Sequence, residues 1–295
     1  MAEFDAYLIV DWSAANQPKT GAGSIWYCLF EAGRREVRNV ATRGAAWRRL
    51  GGLLRERAAR GMRVLAGFDF PLGYPAGFAR ALGLRGAAPW RAAWEEIARV
   101  IDDREDNRNN RFAAAAGFNR RISGRAFPFW GCPRAAVSDA LVMTRPGGYG
   151  GDLPEYRLAD RAAPGAQPVW KLCYAGSAGG QALTGIPRVL ALRDDRALAA
   201  VSRVWPFETG LRLPPRREAL VVFAEVYPSL TPVPRGAMPC KDAAQVRALA
   251  DRFARADAGG WLKRLFEPPV EAVDQARVIE AEGWILGALP SGAAQ

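Results

Sequence analysis

The chain has 295 residues, 41 Lys and Arg against 30 Asp and Glu for a net charge of +11, and no histidine. Its length equals one large domain or two of roughly 150 residues, and 49% hydrophobic with 24% charged residues is an ordinary globular balance. The missing imidazole excludes Ser-His-Asp and Cys-His catalysis, the helical zinc-protease motif and any histidine-ligated metal site, so acid–base or metal chemistry rests on Asp, Glu, Lys, Tyr or Cys.

In chain order, Tyr7 to Val10 is a short apolar run ending on Asp11, the pattern of a buried strand. The turn-rich segment NQPKTGAG (16–23) leads to a second strand, Ser24 to Phe30, and Glu36 to Thr42 pairs as a third after the turn at Gly33. Trp47 to Arg60 carries Leu50, Leu53 and Leu54 at helical spacing. Arg63 to Phe68 is a fourth strand, stopped by Pro71 and Gly73 just after Asp69. The stretch from about 74 to 218 is less regular. It holds a helix over Trp90 to Ile101, an Arg-and-aromatic mixture at 104–130, and two Gly-rich stretches at 145–151 and 175–185. Ala219 to Val226 is the most strand-like run of all and carries Glu225 near its end. Helices are predicted over Asp242 to Ala258 and from about Val270 to Leu289. The two α/β parts complete one sheet in a single domain over 1–295, with 74–218 as a large insertion on its functional edge.

Asp11, Asp69 and Glu225 each end an apolar strand and precede turn residues. Ligands of open α/β sheets bind at the carboxyl ends of the strands, and carboxylates gathered there repel unless a divalent cation neutralises them. Oxygen-only ligation selects Mg²⁺ or Mn²⁺ over zinc. The expected metal ligands are therefore Asp11, Asp69 and Glu225.

The motifs VDWSAA (10–15), GFDFPLGYP (67–75) and AEVYPSL (224–230) resemble the family of predicted RNase H-like nucleases. The resemblance implies an RNase H-like mixed sheet flanked by helices, with the insertion between the fourth and fifth core strands. It also implies Mg²⁺-dependent phosphodiester hydrolysis. That family carries an acid-plus-alanine pair in its last helix, of the form D-A-L-L-A-A. The matching position here is Glu282, within Glu282-Gly-Trp-Ile-Leu-Gly-Ala, with Glu280 or Asp274 as substitutes. A narrower subgroup, linked by name to molybdopterin guanine dinucleotide synthesis, is similar through FPFWGCP (127–133), WKLCYAGSAGGQALTGIP (170–187) and WPFET (205–209).

Around the acids, the 12–23 hairpin offers Ser13, Lys19 and Thr20 to a phosphate. The 175–185 stretch offers backbone amides with Ser177, beside Lys171. Each has a plainer reading, as an exposed hairpin and as a turn before a helix. Arg104, Arg108, Arg111, Arg120, Arg121 and Arg125, set among Phe and Trp, have the make-up of a single-strand nucleic-acid surface or of a solvated helix end over a small core. The +11 charge favours an anionic partner, nucleic acid or nucleotide. Cys28, Cys132, Cys173 and Cys240 form no CxxC pair and are expected to stay reduced in a cytoplasmic protein without a membrane span. Two other functions compete with a nuclease: an ATP-dependent phosphotransferase on the same fold, and a non-catalytic nucleotide- or cofactor-binding protein.

Overall fold

The computed structural model describes residues 2–86, 88–233, 236 and 238–289. Six strands form one mixed sheet: β1 (Ala6–Asp11), β2 (Ile25–Glu31), β3 (Arg34–Val40), β4 (Val64–Phe68), β5 (Ser202–Val204) and β6 (Val221–Glu225), in the order β3-β2-β1-β4-β6-β5. The pairs β1–β2 and β2–β3 are antiparallel; β1–β4, β4–β6 and β6–β5 are parallel.

The central strands read as unbroken apolar runs because both of their faces are covered. Side chains alternate between two clusters. Leu8, Val10, Ala66, Phe68 and Phe223 join one, and Tyr7, Ile9, Leu65, Val222 and Ala224 join the other. Helices α1 (Arg43–Ala59), α3 (Pro89–Val100), α4 (Arg111–Ser123) and α6 (Ala178–Arg193) cover the first face. Helix α7 (Lys241–Ala258) covers the second through Val246, Leu249, Ala250 and Phe253, joined by α8 (Leu262–Leu265). Short helices α2 (Phe78–Ala81), α5 (Leu158–Ala162) and α9 (Ala272–Arg277) complete the fold.

Two segments depart from the sequence expectation. The predicted helix Val270–Leu289 is only α9 followed by a wide helical turn, Val278–Glu282. Gly283 turns the chain at φ 69°, and Ile285 then bridges Glu225 in parallel, with the Leu286 amide donating to the Glu225 carbonyl. The second departure is β5, a three-residue strand that extends the sheet beyond the five expected strands.

The Arg-and-aromatic stretch, for which the sequence leaves two readings, forms α4 and the packed loop after it. Phe118, Phe127 and Phe129 are buried, while Arg104, Arg108, Arg120 and Arg121 pair with Asp102, Asp106, Asp139 and Glu96. Among the described residues no helix is long and apolar enough to cross a membrane.

Candidate active site

The register of β1 and β4 creates the site. Val10 lies opposite Phe68, and the Asp69 amide continues the ladder to the Val10 carbonyl at 3.1 Å. The next pair is therefore Asp11 beside Asp69, on the face covered by α7. Their carboxyls share a hydrogen bond, and Asp69 also accepts from the Trp12 amide at 2.7 Å. Burial, aided by the negative charge of Asp242, pushes Asp11 up to about 7. Asp69 is pushed well above the usual carboxylate range by burial first and by Asp11 second. At neutral pH the two carboxyls therefore hold on to a proton.

Asp242, which the sequence reading did not single out, approaches this pair from the first turn of α7. There the positive end of the helix dipole favours an acid. The tip of the 12–23 hairpin fixes it, with the Gly23 amide donating to its carboxylate at 2.5 Å. The signal was present in the sequence. Asp242-Ala243-Ala244 opens a helix with an acid-plus-alanine pair, the pattern sought at Glu282.

Glu225 and Glu282 are placed elsewhere. In the β4–β6 register Glu225 lies opposite Phe68 rather than Asp69, so alternation turns it to the other face of the sheet. There it meets Arg157, which is fully buried. The guanidinium uses all five N–H donors: two on Glu225 at 2.6 and 2.8 Å, two on Asp160, and one on the carbonyl of Glu282. The Leu72 amide also donates to Glu225 at 2.9 Å. Burial raises the proton affinity of Glu225 and Arg157 opposes that rise. The Glu282 carboxylate, buried as well, accepts from the amides of Leu158 and Ala76 and from Arg277. Both acids tie chain segments together, and their oxygens are occupied.

Of the expected substrate contacts, Ser13 and Lys171 have internal roles too. The Ser13 hydroxyl bonds the Gly23 carbonyl across the hairpin, and Lys19 is exposed. Lys171 donates to Gln167 and to the carbonyl of Ala175, bracing its own loop. Ser177 ends that loop at the start of α6. The glycines after it serve close packing: a Cβ on Gly179 would lie 2.2 Å from the Val169 carbonyl oxygen, and one on Gly185 would lie 2.3 Å from the Phe70 ring.

A cleft of about 450 Å³ opens beside Asp69 at the carboxyl ends of β4 and β6. Its lining runs from Phe70 and Pro71, over the Arg157–Glu225 pair, to Tyr227, Ser229, Lys241 and Gln245. No family model, curated protein or solved structure matches the chain.

Among the described residues no three Asp, Glu or Cys side chains stand close enough to hold a metal ion together. The Asp11–Asp69 pair offers two hard oxygen donors, with the Asp242 charge nearby. Mg²⁺ keeps several waters and takes one or two carboxylates plus the oxygens of a substrate phosphate. The pair fits Mg²⁺ or Mn²⁺ on those terms.

Proposed function

We propose that this protein is a Mg²⁺- or Mn²⁺-dependent phosphoester hydrolase with an RNase H-like arrangement of its core strands. The observation that carries the reading is the Asp11–Asp69 pair: two carboxyls at adjacent parallel strand ends, beside a cleft, in surroundings that resist their ionisation. A cation relieves that conflict, and when bound it polarises the phosphorus–oxygen bond and acidifies a water. The chain's own part is to fix the two carboxyls. The β1–β4 ladder sets their spacing and the Trp12 amide orients Asp69. Asp242 deepens the negative potential, and the cleft beside Asp69 receives the ester.

The phosphotransferase alternative relies on the 12–23 hairpin and the 175–185 loop to grip phosphates. It is the weaker reading, because the Ser13 hydroxyl is spent within the hairpin and the hairpin tip is tied to Asp242. For non-catalytic nucleotide or cofactor binding, the proton-sharing pair has no use.

The deciding experiment is a Mg²⁺/Mn²⁺ hydrolysis screen over nucleotides, DNA and RNA, run beside thermal melts with and without the cation. The wild type should gain several degrees in Tm with Mn²⁺ and hydrolyse at least one substrate class, and Asp69→Asn should lose both. Equal activity in Asp69→Asn sinks the proposal.

A further inference from the structure

We infer that the site takes a small phosphoester about the size of a nucleoside monophosphate, held by one phosphate, and not a nucleic-acid strand. This rests on the hydrolase reading above and adds the substrate's size and charge. Three observations support it.

The first is dimension. A cleft of about 450 Å³ falls within the range of about 300–1,000 Å³ in which pockets enclose small ligands. On one side its walls meet: a Cβ on Gly165 would lie 3.4 Å from the Tyr227 hydroxyl, and both residues line the cleft. A strand passing through would have to part them.

The second is charge. A polynucleotide groove needs a row of cations along the backbone. The cations lining this cleft are Arg157 and Lys241, against Asp69, Asp160 and Glu225. Arg157 spends every N–H donor on Glu225, Asp160 and the Glu282 carbonyl. Lys241 remains, enough for a single phosphate. The Arg-and-aromatic stretch does not extend the groove, because its rings are largely core and most of its arginines are in ion pairs.

The third is the set of donors. The side chains of Lys241, Gln245, Tyr227 and Ser229 line the cleft and make no hydrogen bond to another described residue. One charged and three neutral groups that can donate thus face a wall that ends in Asp69. A phosphate between Lys241 and a cation on the Asp pair would meet positive charge on both sides, and the neutral groups would hold the rest of the molecule.

The test measures binding of AMP, inorganic phosphate and a 12-nucleotide single-stranded DNA with Mn²⁺ present, at 50 and 200 mM salt. It uses the wild type, Lys241→Ala and Lys241→Arg. AMP should bind the wild type more tightly than phosphate alone, weaken about tenfold in Lys241→Ala, and recover in Lys241→Arg. Its salt dependence should correspond to about one phosphate contact. Three results overturn the inference: tighter binding of the oligonucleotide with a salt slope of several contacts, phosphate alone binding as well as AMP, or AMP binding unchanged in Lys241→Ala. Absence of binding by all three probes overturns it as well. The two proposals fail separately. AMP bound but no ester hydrolysed removes the hydrolase reading, while cleavage of a tightly bound oligonucleotide keeps that reading and removes this one.

Discussion

Asp11 and Asp69 do not ionise independently, and the stability of the fold carries the trace of that conflict. An unfolded aspartate releases its proton near pH 4, whereas in the folded chain burial lifts Asp11 to about 7 and holds Asp69 well above the usual carboxylate range. Between those values the native state binds more protons than the unfolded chain, so the pair's contribution falls as pH rises through the window. Asp69→Asn removes the like charge and keeps an oxygen for the Trp12 amide. In chelator-containing buffer at pH 7 the variant should be more stable than wild type by about 1–2 kcal/mol, since one pK unit is worth about 1.4 kcal/mol before solvent screening. Urea midpoints from pH 4 to 8 should slope less in the variant, and a steeper slope would contradict the assignment. Cysteine chemistry contributes little at this scale: burial pushes Cys28 up to about 12 and raises Cys132, leaving both as thiols at neutral pH. The aspartate pair was legible in the sequence because an acid ending a buried parallel strand has one place to be. Asp242 was not singled out, because its partners lie on strands more than 170 residues earlier.

Among the elements, β6 shows where sequence reasoning stops. The run ALVVFAEV identifies a buried strand, but not its offset against β4. One residue of register decides whether Glu225 joins Asp69 or turns to the opposite face. The observed offset makes Glu225 the counter-ion of a buried arginine. Glu225→Ala should therefore cost about 3–5 kcal/mol, the usual consequence of leaving a buried charge unpaired, read as a lowered urea midpoint. A drop below about 1 kcal/mol would show that Arg157 finds other partners. Helix α6 gives a second case. Its glycines look like a phosphate loop in the sequence, yet Gly185 lets the helix lie against the Phe70 ring, beside Asp69. Gly185→Ala should destabilise by about 1–3 kcal/mol through overpacking. It should also weaken Mn²⁺ binding by displacing the residue next to Asp69, which a calorimetric titration would detect. The final helix stops short of its apolar pattern for a similar reason: the pattern continues past Gly283, but those residues are buried against β6 and not along a helix.

For the whole molecule, the excess of eleven positive charges says less than its arrangement. Many arginines are in ion pairs, several of them joining distant segments, such as Arg35 with Asp251, Arg91 with Asp194 and Arg216 with Asp5. Exposed pairs of this kind contribute about 0–1 kcal/mol each and are screened by salt. Raising NaCl from 0.05 to 0.5 M should thus shift Tm by only a few degrees, and a collapse of the fold would mean that these pairs hold it together. The buried clamp differs in kind. Arg157 joins residue 225 to residue 282, and Glu282 reaches back to residues 76 and 158. The floor of the cleft is therefore sewn from four stretches of chain, the last of them around residue 282. During synthesis the aspartate pair can come together once β4 has emerged, while Arg157 meets Asp160 at once but gains Glu225 and the Glu282 carbonyl only after far more chain has been made. The strand ends are set early, and the cavity beside them closes later.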